Sequence, residues 1–268
     1  MFKEYLLQNF ATILIIIAFV ILLKTTIFLD KKMKIKMFFL IVMIFILSII
    51  VFIEYYYNLE NSHKDLRTVL IAIRYSATPF IIAMVLYTLV KKMKYYVFIP
   101  ALLIAILNII SIFNGMVYSL NDDNELVRGP LGYLPFIAVG IYSVFLVYIL
   151  IKQSNKQATE IIPIVFLCIA FLSGLIFPFI FGKDYSQIFC VTIIIALFVY
   201  YVFSILQLTN KDSLTGLLNR QAYYASTSSN LRDITGIISI DMNGLKVIND
   251  IWTFSWWWSF NYNFTLFH

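Results

Sequence analysis

Apolar residues run through the first four fifths of this chain in long blocks separated by short polar breaks. The blocks lie near residues 10–29, 37–53, 68–90, 95–113, 131–151, 161–181 and 188–208. A helix that crosses the hydrocarbon core of a bilayer needs about 20 predominantly apolar residues, so the pattern predicts seven transmembrane helices. The second block is short, and the third carries Arg74 and Pro79 inside it. The first is too long for the apolar part of a cleaved leader, and no small-residue cleavage site follows it. The expected fold class is therefore an α-helical polytopic membrane region over residues 1–208.

The pattern changes after Leu208. Ser, Thr, Asn, Asp and Gly become frequent, and Thr209–Asp212 offers a helix-start signal. Residues 210–229 read as a polar helix with its loop, and Thr235–Asp241 as a short buried strand. Asn243–Gly244 is a turn, and Leu245–Ile251 opens a helix. A carboxylate at the carboxyl end of a strand, just before a helix, is where α/β folds present ligand-binding groups.

Composition agrees with the first pattern. Hydrophobic residues make up 62% of the 268 positions and charged residues 13%, with a mean hydropathy of +0.89. Soluble domains carry about 45–50% apolar and about 25% charged residues, so an ordinary globular enzyme and a disordered chain are both excluded. The net charge of +6 is unevenly placed. Residues 1–208 hold 16 basic and 10 acidic groups, whereas residues 209–268 hold four of each. The basicity thus reports topology and gives no reason to expect nucleic acid as a partner.

Lysine and arginine in short loops set orientation. Breaks at 30–36, 91–94 and 152–160 contain nine, all lysines; those at 54–67, 114–130 and 182–187 contain four, Lys64, Arg67, Arg128 and Lys183. The first set is expected in the cytoplasm. Acidic residues fall the other way, with Glu54, Glu60, Asp65, Asp122, Asp123, Glu125 and Asp184 outside. Seven spans then leave Met1 outside and the end of the chain in the cytoplasm.

Two motifs carry the chemistry. The segment Lys211–Tyr224, KDSLTGLLNRQAYY, resembles the D-x-L-T-G-L-x-N-R signature that opens the GGDEF domain of bacterial diguanylate cyclases. Asp212, Leu214, Thr215, Gly216, Leu217, Asn219 and Arg220 match it. The segment Ile238–Asp250, ISIDMNGLKVIND, is similar to that domain's D-x-D-x-F-K-x-I-N-D, with Asp241, Lys246, Ile248, Asn249 and Asp250 matching. Their order, directly after a membrane region, adds to the likeness. The resemblance implies an α/β cyclase-type fragment over residues 209–252 in a bacterial inner-membrane protein. The family reaction joins two GTP into cyclic di-GMP across a homodimer, with carboxylate-held Mg²⁺ activating a hydroxyl and neutralising phosphate charge. By the same resemblance Asp241 is the first metal ligand, Asn249 reads the guanine edge and Lys246 lies near the phosphates. Asn243 and Leu245 depart from the family's usual Asp and Phe. Without the flanking motif, Asp241 would read as a strand-end cap.

The likeness stops after Trp252. The family continues G-H-x-x-G-D and later the G-G-[DE]-E-F hairpin, whereas this chain reads TFSWWWSFNYNFTLFH. With one metal ligand and no phosphate hairpin, residues 1–268 are expected to be catalytically inactive, and the fragment is too small to close a core unaided. All four tryptophans lie at Trp252 and Trp256–Trp258. Tryptophan has the single codon TGG, and three of these read one base later give glycine codons. That frame yields G-H-S-A-G-G-G, or G-H-S-A-G-D-E if TGA encoded two of them. Residues 253–268 therefore read as an out-of-frame tail, a genuine divergent end being the alternative.

Other candidates are single residues. Arg74, about two turns into the third span, is a candidate sensor or relay residue, with snorkelling to the outer interface as its ordinary reading. Asp122, Asp123 and Glu125 lack the spacing of an EF-hand loop and read as a solvated loop. Cys168 and Cys190 read as small apolar fillers, and His63 as an isolated loop histidine. The seven-span layout is also similar to the seven-helix sensors of bacterial histidine kinases. The leading expectation is a membrane receptor of the diguanylate cyclase type. A receptor that signals by pairing with an intact partner is a variant of it. The alternative from another class is a seven-helix transporter or channel with an incidental tail, for which internal repeats and broken helices are expected; no repeat is evident.

Overall fold

The computed structural model describes residues 2–27, 29–90, 92–154, 158–180, 188–212, 215 and 217–229. These residues are mostly helical, with one small two-stranded sheet. The chain divides into two units, Met1–Tyr201 and Val202–His268.

In the first unit a short helix α1 (Phe2–Gln8) leads into α2 (Phe10–Thr25). The buried Asn9 joins them: its amide N–H donates to the Tyr5 carbonyl at 2.9 Å, and its own carbonyl accepts from Ile13 at 2.9 Å. Helix α3 (Lys31–Leu59) follows, then α4 (Lys64–Leu89), α5 (Phe98–Asn114), α6 (Leu134–Gln153), α7 (Ala158–Ile180) and α8 (Ile188–Asn210). Helix α4 is central and packs against α3, α5 and α6. Among the described residues five helices are long and apolar enough to cross a membrane: α3, α4, Tyr95–Asn114 (α5 with its preceding 3₁₀ turn), α6 and α8. Two more apolar stretches are shorter, Phe10–Thr25 and Ile161–Phe177. Each of the seven apolar blocks of the sequence therefore centres on a helix.

The largest difference from the sequence pattern is in α3. The apolar block ends at Ile53, but the helix continues through Glu54 to Leu59. A hydropathy boundary stops at the first charge, whereas the backbone continues while each N–H finds its carbonyl four residues back. Glu54 is thus a helix residue with 4% of its surface exposed, not part of an external loop. Arg67 is corrected in the same way. It lies in the first turn of α4 and is 1% exposed. Pro79 sits inside α4, where it cannot donate to the Tyr75 carbonyl. Beside it the Ser76 and Thr78 hydroxyls donate to the carbonyls of Ala72 and Arg74, each at 2.7 Å.

The break at 114–130 is a folded hairpin, which the sequence pattern did not predict. Strands β1 (Tyr118–Leu120) and β2 (Leu126–Arg128) pair antiparallel, Ser119 opposite Val127. Gly115, at φ +66°, ends α5 in the left-handed conformation that favours glycine. Ser111 ties the hairpin to α5, its Oγ accepting from the Val117 and Tyr118 amides at 2.9 and 3.1 Å. Gly129 closes the base, where a Cβ would lie 2.3 Å from the carbonyl oxygens of Gly115 and Met116. The hairpin seats Val117 and Tyr118 on Ile71, Ala72 and Tyr75 of α4.

In the second unit the described residues are the end of α8, the connection after it and α9 (Arg220–Ser229).

Candidate functional site

Two positions on α4 and one on α3 make the most distinctive polar constellation in the first unit. Arg67 and Arg74 are seven residues apart, two helical turns, so they lie on one face. The α3–α4 turn, with Asn61 and His63 at positive φ, folds α3 back alongside that face and brings Glu54 between the two guanidinium groups. Arg67 Nε donates to Glu54 Oε1 at 3.3 Å, and Arg74 Nη1 donates to Oε2 at 2.5 Å. The side chains of Arg67, Glu54 and Arg74 are 1%, 6% and 14% exposed. One carboxylate therefore bridges two largely buried cations.

The hairpin covers this cluster. Arg67 Nη1 also donates to the carbonyl of Asn124 at the hairpin tip. Asn124 is itself buried and left-handed, and its side-chain amide has no hydrogen-bond partner among the described residues. The Tyr118 hydroxyl donates to the Thr68 carbonyl at 3.2 Å, and its ring meets Tyr75 edge-on at 5.7 Å. Burial, helped by Tyr75, pushes the Tyr118 hydroxyl up to about 12, so it remains a donor throughout the neutral range. Lys64 pairs with Asp122 on the exposed side at 3.7 Å.

A cavity of about 100 Å³ opens beside the cluster. Glu54, Arg67, Arg74 and Arg128 supply its charged lining, and Tyr75 and Thr78 of α4 continue it. Arg128 lies over the rings of Tyr133 and Phe136, at 5.2 and 5.9 Å. The combination of apolar walls with a few convergent charged groups is the usual make-up of a small-molecule site.

Of the residues singled out in the sequence, Arg74 is in this site. Glu54 and Arg67 are also in it, although the sequence placed both in a loop. The signal that could have found them is the i, i+7 spacing of Arg67 and Arg74 together with one acid near the end of the preceding apolar block. Asp122, Asp123 and Glu125 form the exposed hairpin turn, in which Asn121 Oδ1 accepts the Glu125 amide at 2.6 Å. Cys168 and Cys190 are free thiols. No group of three His, Cys, Asp or Glu side chains suited to a metal is present among the described residues.

Asp241, Lys246 and Asn249 lie outside the described residues. The first motif is partly within them, and its polar residues build a turn. Asp212 Oδ1 accepts from the Thr215 amide at 2.9 Å and from the Thr215 hydroxyl at 3.0 Å. Asn219 Oδ1 accepts the Ala222 amide at 2.9 Å, capping α9, while its Nδ2 donates to the Thr209 carbonyl at 2.6 Å. Lys211 and Leu218 pair as an antiparallel bridge. Comparison with protein-family models, curated proteins and solved structures returned no match to this chain.

Proposed function

We propose that this chain is a bacterial inner-membrane receptor of the diguanylate cyclase type. Its apolar helices form a seven-span sensor, and its cytoplasmic end leads into a GGDEF-type module that acts as a homodimer. The observation that carries the reading is the turn built by the matched residues Asp212, Thr215 and Asn219, which follows directly on the apolar helix α8. A signature whose polar residues each make a specific bond in a connecting turn is better explained by a module boundary than by chance composition. The buried Arg67–Glu54–Arg74 cluster supports the sensor half, because ionisable groups within apolar helices mark ligand or relay sites.

In the family, GTP is the substrate and Mg²⁺ supplies the charge neutralisation for phosphoryl transfer. Asp241 is the one matched metal carboxylate, with Lys246 and Asn249 as the nucleotide-facing residues of the same motif. Phosphoryl transfer in the family uses two metal-binding carboxylates, of which Asp241 matches the first.

A fusion of residues 1–229 to a complete GGDEF catalytic module tests the reading in a host lacking other cyclases. Cyclic di-GMP should form in the membrane fraction, and R74Q should change its level at least about twofold at equal membrane abundance. Product that is indifferent to every substitution at Glu54, Arg67 and Arg74 would sink the sensor assignment.

A further inference from the structure

We infer that the cavity beside Arg67 and Arg74 binds a small organic monocarboxylate, its carboxylate on the two guanidinium groups and its apolar part against the cavity walls. As the sensed signal this ligand rests on the receptor reading; as a binding event it does not.

Charge is the first argument. Arg67, Arg74 and Glu54 together carry one net positive charge, and all three are largely buried. A buried charge without a partner is costly, and with Arg128 also lining the cavity its charged groups stay in excess positive, so an added anion is favoured there. Donor capacity points the same way. Each guanidinium carries five N–H groups in a planar fork that matches a carboxylate, and Glu54 accepts one from each.

The walls decide between a bare ion and an organic acid. Leu47, Val51, Phe136, Leu175 and Phe189 also line the cavity. A hydrated inorganic anion would leave those surfaces against water, whereas an alkyl chain covers them at about 25 cal/mol per Å². The volume of about 100 Å³ sets the size. A single water needs about 10–15 Å³ of such space, so the cavity holds the equivalent of roughly seven to ten waters, a short-chain acid and not a whole lipid.

The test uses the full chain in phosphatidylcholine nanodiscs, with hexanoate as the probe and empty nanodiscs as the blank. Calorimetry and thermal unfolding should show saturable hexanoate binding, with hexanamide and inorganic phosphate inactive at the same concentration. R74Q should weaken hexanoate by roughly tenfold or more, the loss of a charge-assisted pair. E54Q, which removes the resident negative charge and keeps the side chain's shape, should tighten it severalfold. These opposite signs separate a binding role from a merely structural one, which would weaken binding in both. If R74Q does not fold, the double variant E54Q/R74Q takes its place and should bind hexanoate more weakly than E54Q. Equal binding of hexanamide, binding of phosphate instead, no saturable binding, or shifts of the same sign in the two variants would overturn the inference. Hexanoate binding with an indifferent cyclase fusion would instead overturn the receptor reading and leave the carboxylate site standing.

Discussion

Glu54 and Arg74, 20 residues apart in sequence, are joined across the α3–α4 hairpin by a 2.5 Å bond from Nη1 to Oε2. The other oxygen of the same carboxylate takes Arg67, so one side chain neutralises part of two buried charges. Removing it is expected to cost more than removing a surface pair. E54A should lower stability by about 3–5 kcal/mol, the usual cost of orphaning a buried charge. E54Q, whose amide oxygen still accepts from one of the two arginines although its Nε2 cannot accept from the other, should lose less. Thermal unfolding in detergent compares the two, and an E54A protein as stable as the parent would show that the arginines do not depend on this carboxylate.

The hairpin base offers a purely steric test. At Gly129 a Cβ would meet two carbonyl oxygens at 2.3 Å, and both belong to backbone that cannot swing aside. G129A should therefore displace the hairpin from α4 and lower the unfolding temperature by several degrees. Gly140, around which nothing lies within 4 Å, is the control, and G140A should be neutral or slightly stabilising.

Asn219 makes two separable bonds, one capping α9 and one to the Thr209 carbonyl. N219A should destabilise α9 by about 1 kcal/mol, the typical value of an N-cap. N219D keeps the capping oxygen but loses the Nδ2 donor, so it should restore protection at Ala222 without restoring the bond to Thr209. Hydrogen exchange of the α9 amides reads the difference. Equal exchange in N219A and the parent would mean that Asn219 does not hold the turn.

Five of the described helices were legible in the sequence because each is long and apolar enough to declare itself. The cluster was not, for a specific reason. Glu54 and Arg67 are charged residues flanking a polar break, and a one-dimensional pattern assigns such residues to solvent. Their burial depends on a third element, the 118–128 hairpin, whose strands are three residues each. Strands that short carry no usable alternation. Arg74 stood out because it interrupts an apolar block, but its partner is 20 residues away on another helix, beyond any local pattern. The Asp212–Asn219 turn was not legible as a turn either: the residue types there suggested a helix start at Thr209–Asp212, whereas α8 runs to Asn210 and α9 begins at Arg220.

The loop charge count gives an orientation that reporters can check. Fusions at Lys34, Asn121 and Asn210 should report cytoplasm, outside and cytoplasm, in that order. Asn121 is the decisive position, because it lies at the tip of the hairpin that covers the Arg67–Glu54–Arg74 cluster. A cytoplasmic signal there would turn the cavity towards the cell interior and reverse the proposed topology.

Tyr118 gives the chain a pH response of defined sign. Its hydroxyl is buried against Thr68 and pushed up to about 12, above the ordinary tyrosine value near 10. The folded state thus holds the proton more tightly than the unfolded state does. The resulting stability is fully present below about pH 10 and is lost as pH rises through about 12. Other tyrosines ionise in the same range, so the informative quantity is the difference between the parent and Y118F. Phenylalanine keeps the edge-on contact with Tyr75 but has no proton to lose. Y118F should start lower, through the lost bond to Thr68, and then fall less steeply than the parent between pH 10 and 12. Unfolding temperatures measured from pH 8 to 12 provide the two slopes. Parallel slopes would show that the Tyr118 hydroxyl titrates as an exposed phenol, and that the hairpin does not seal it against α4.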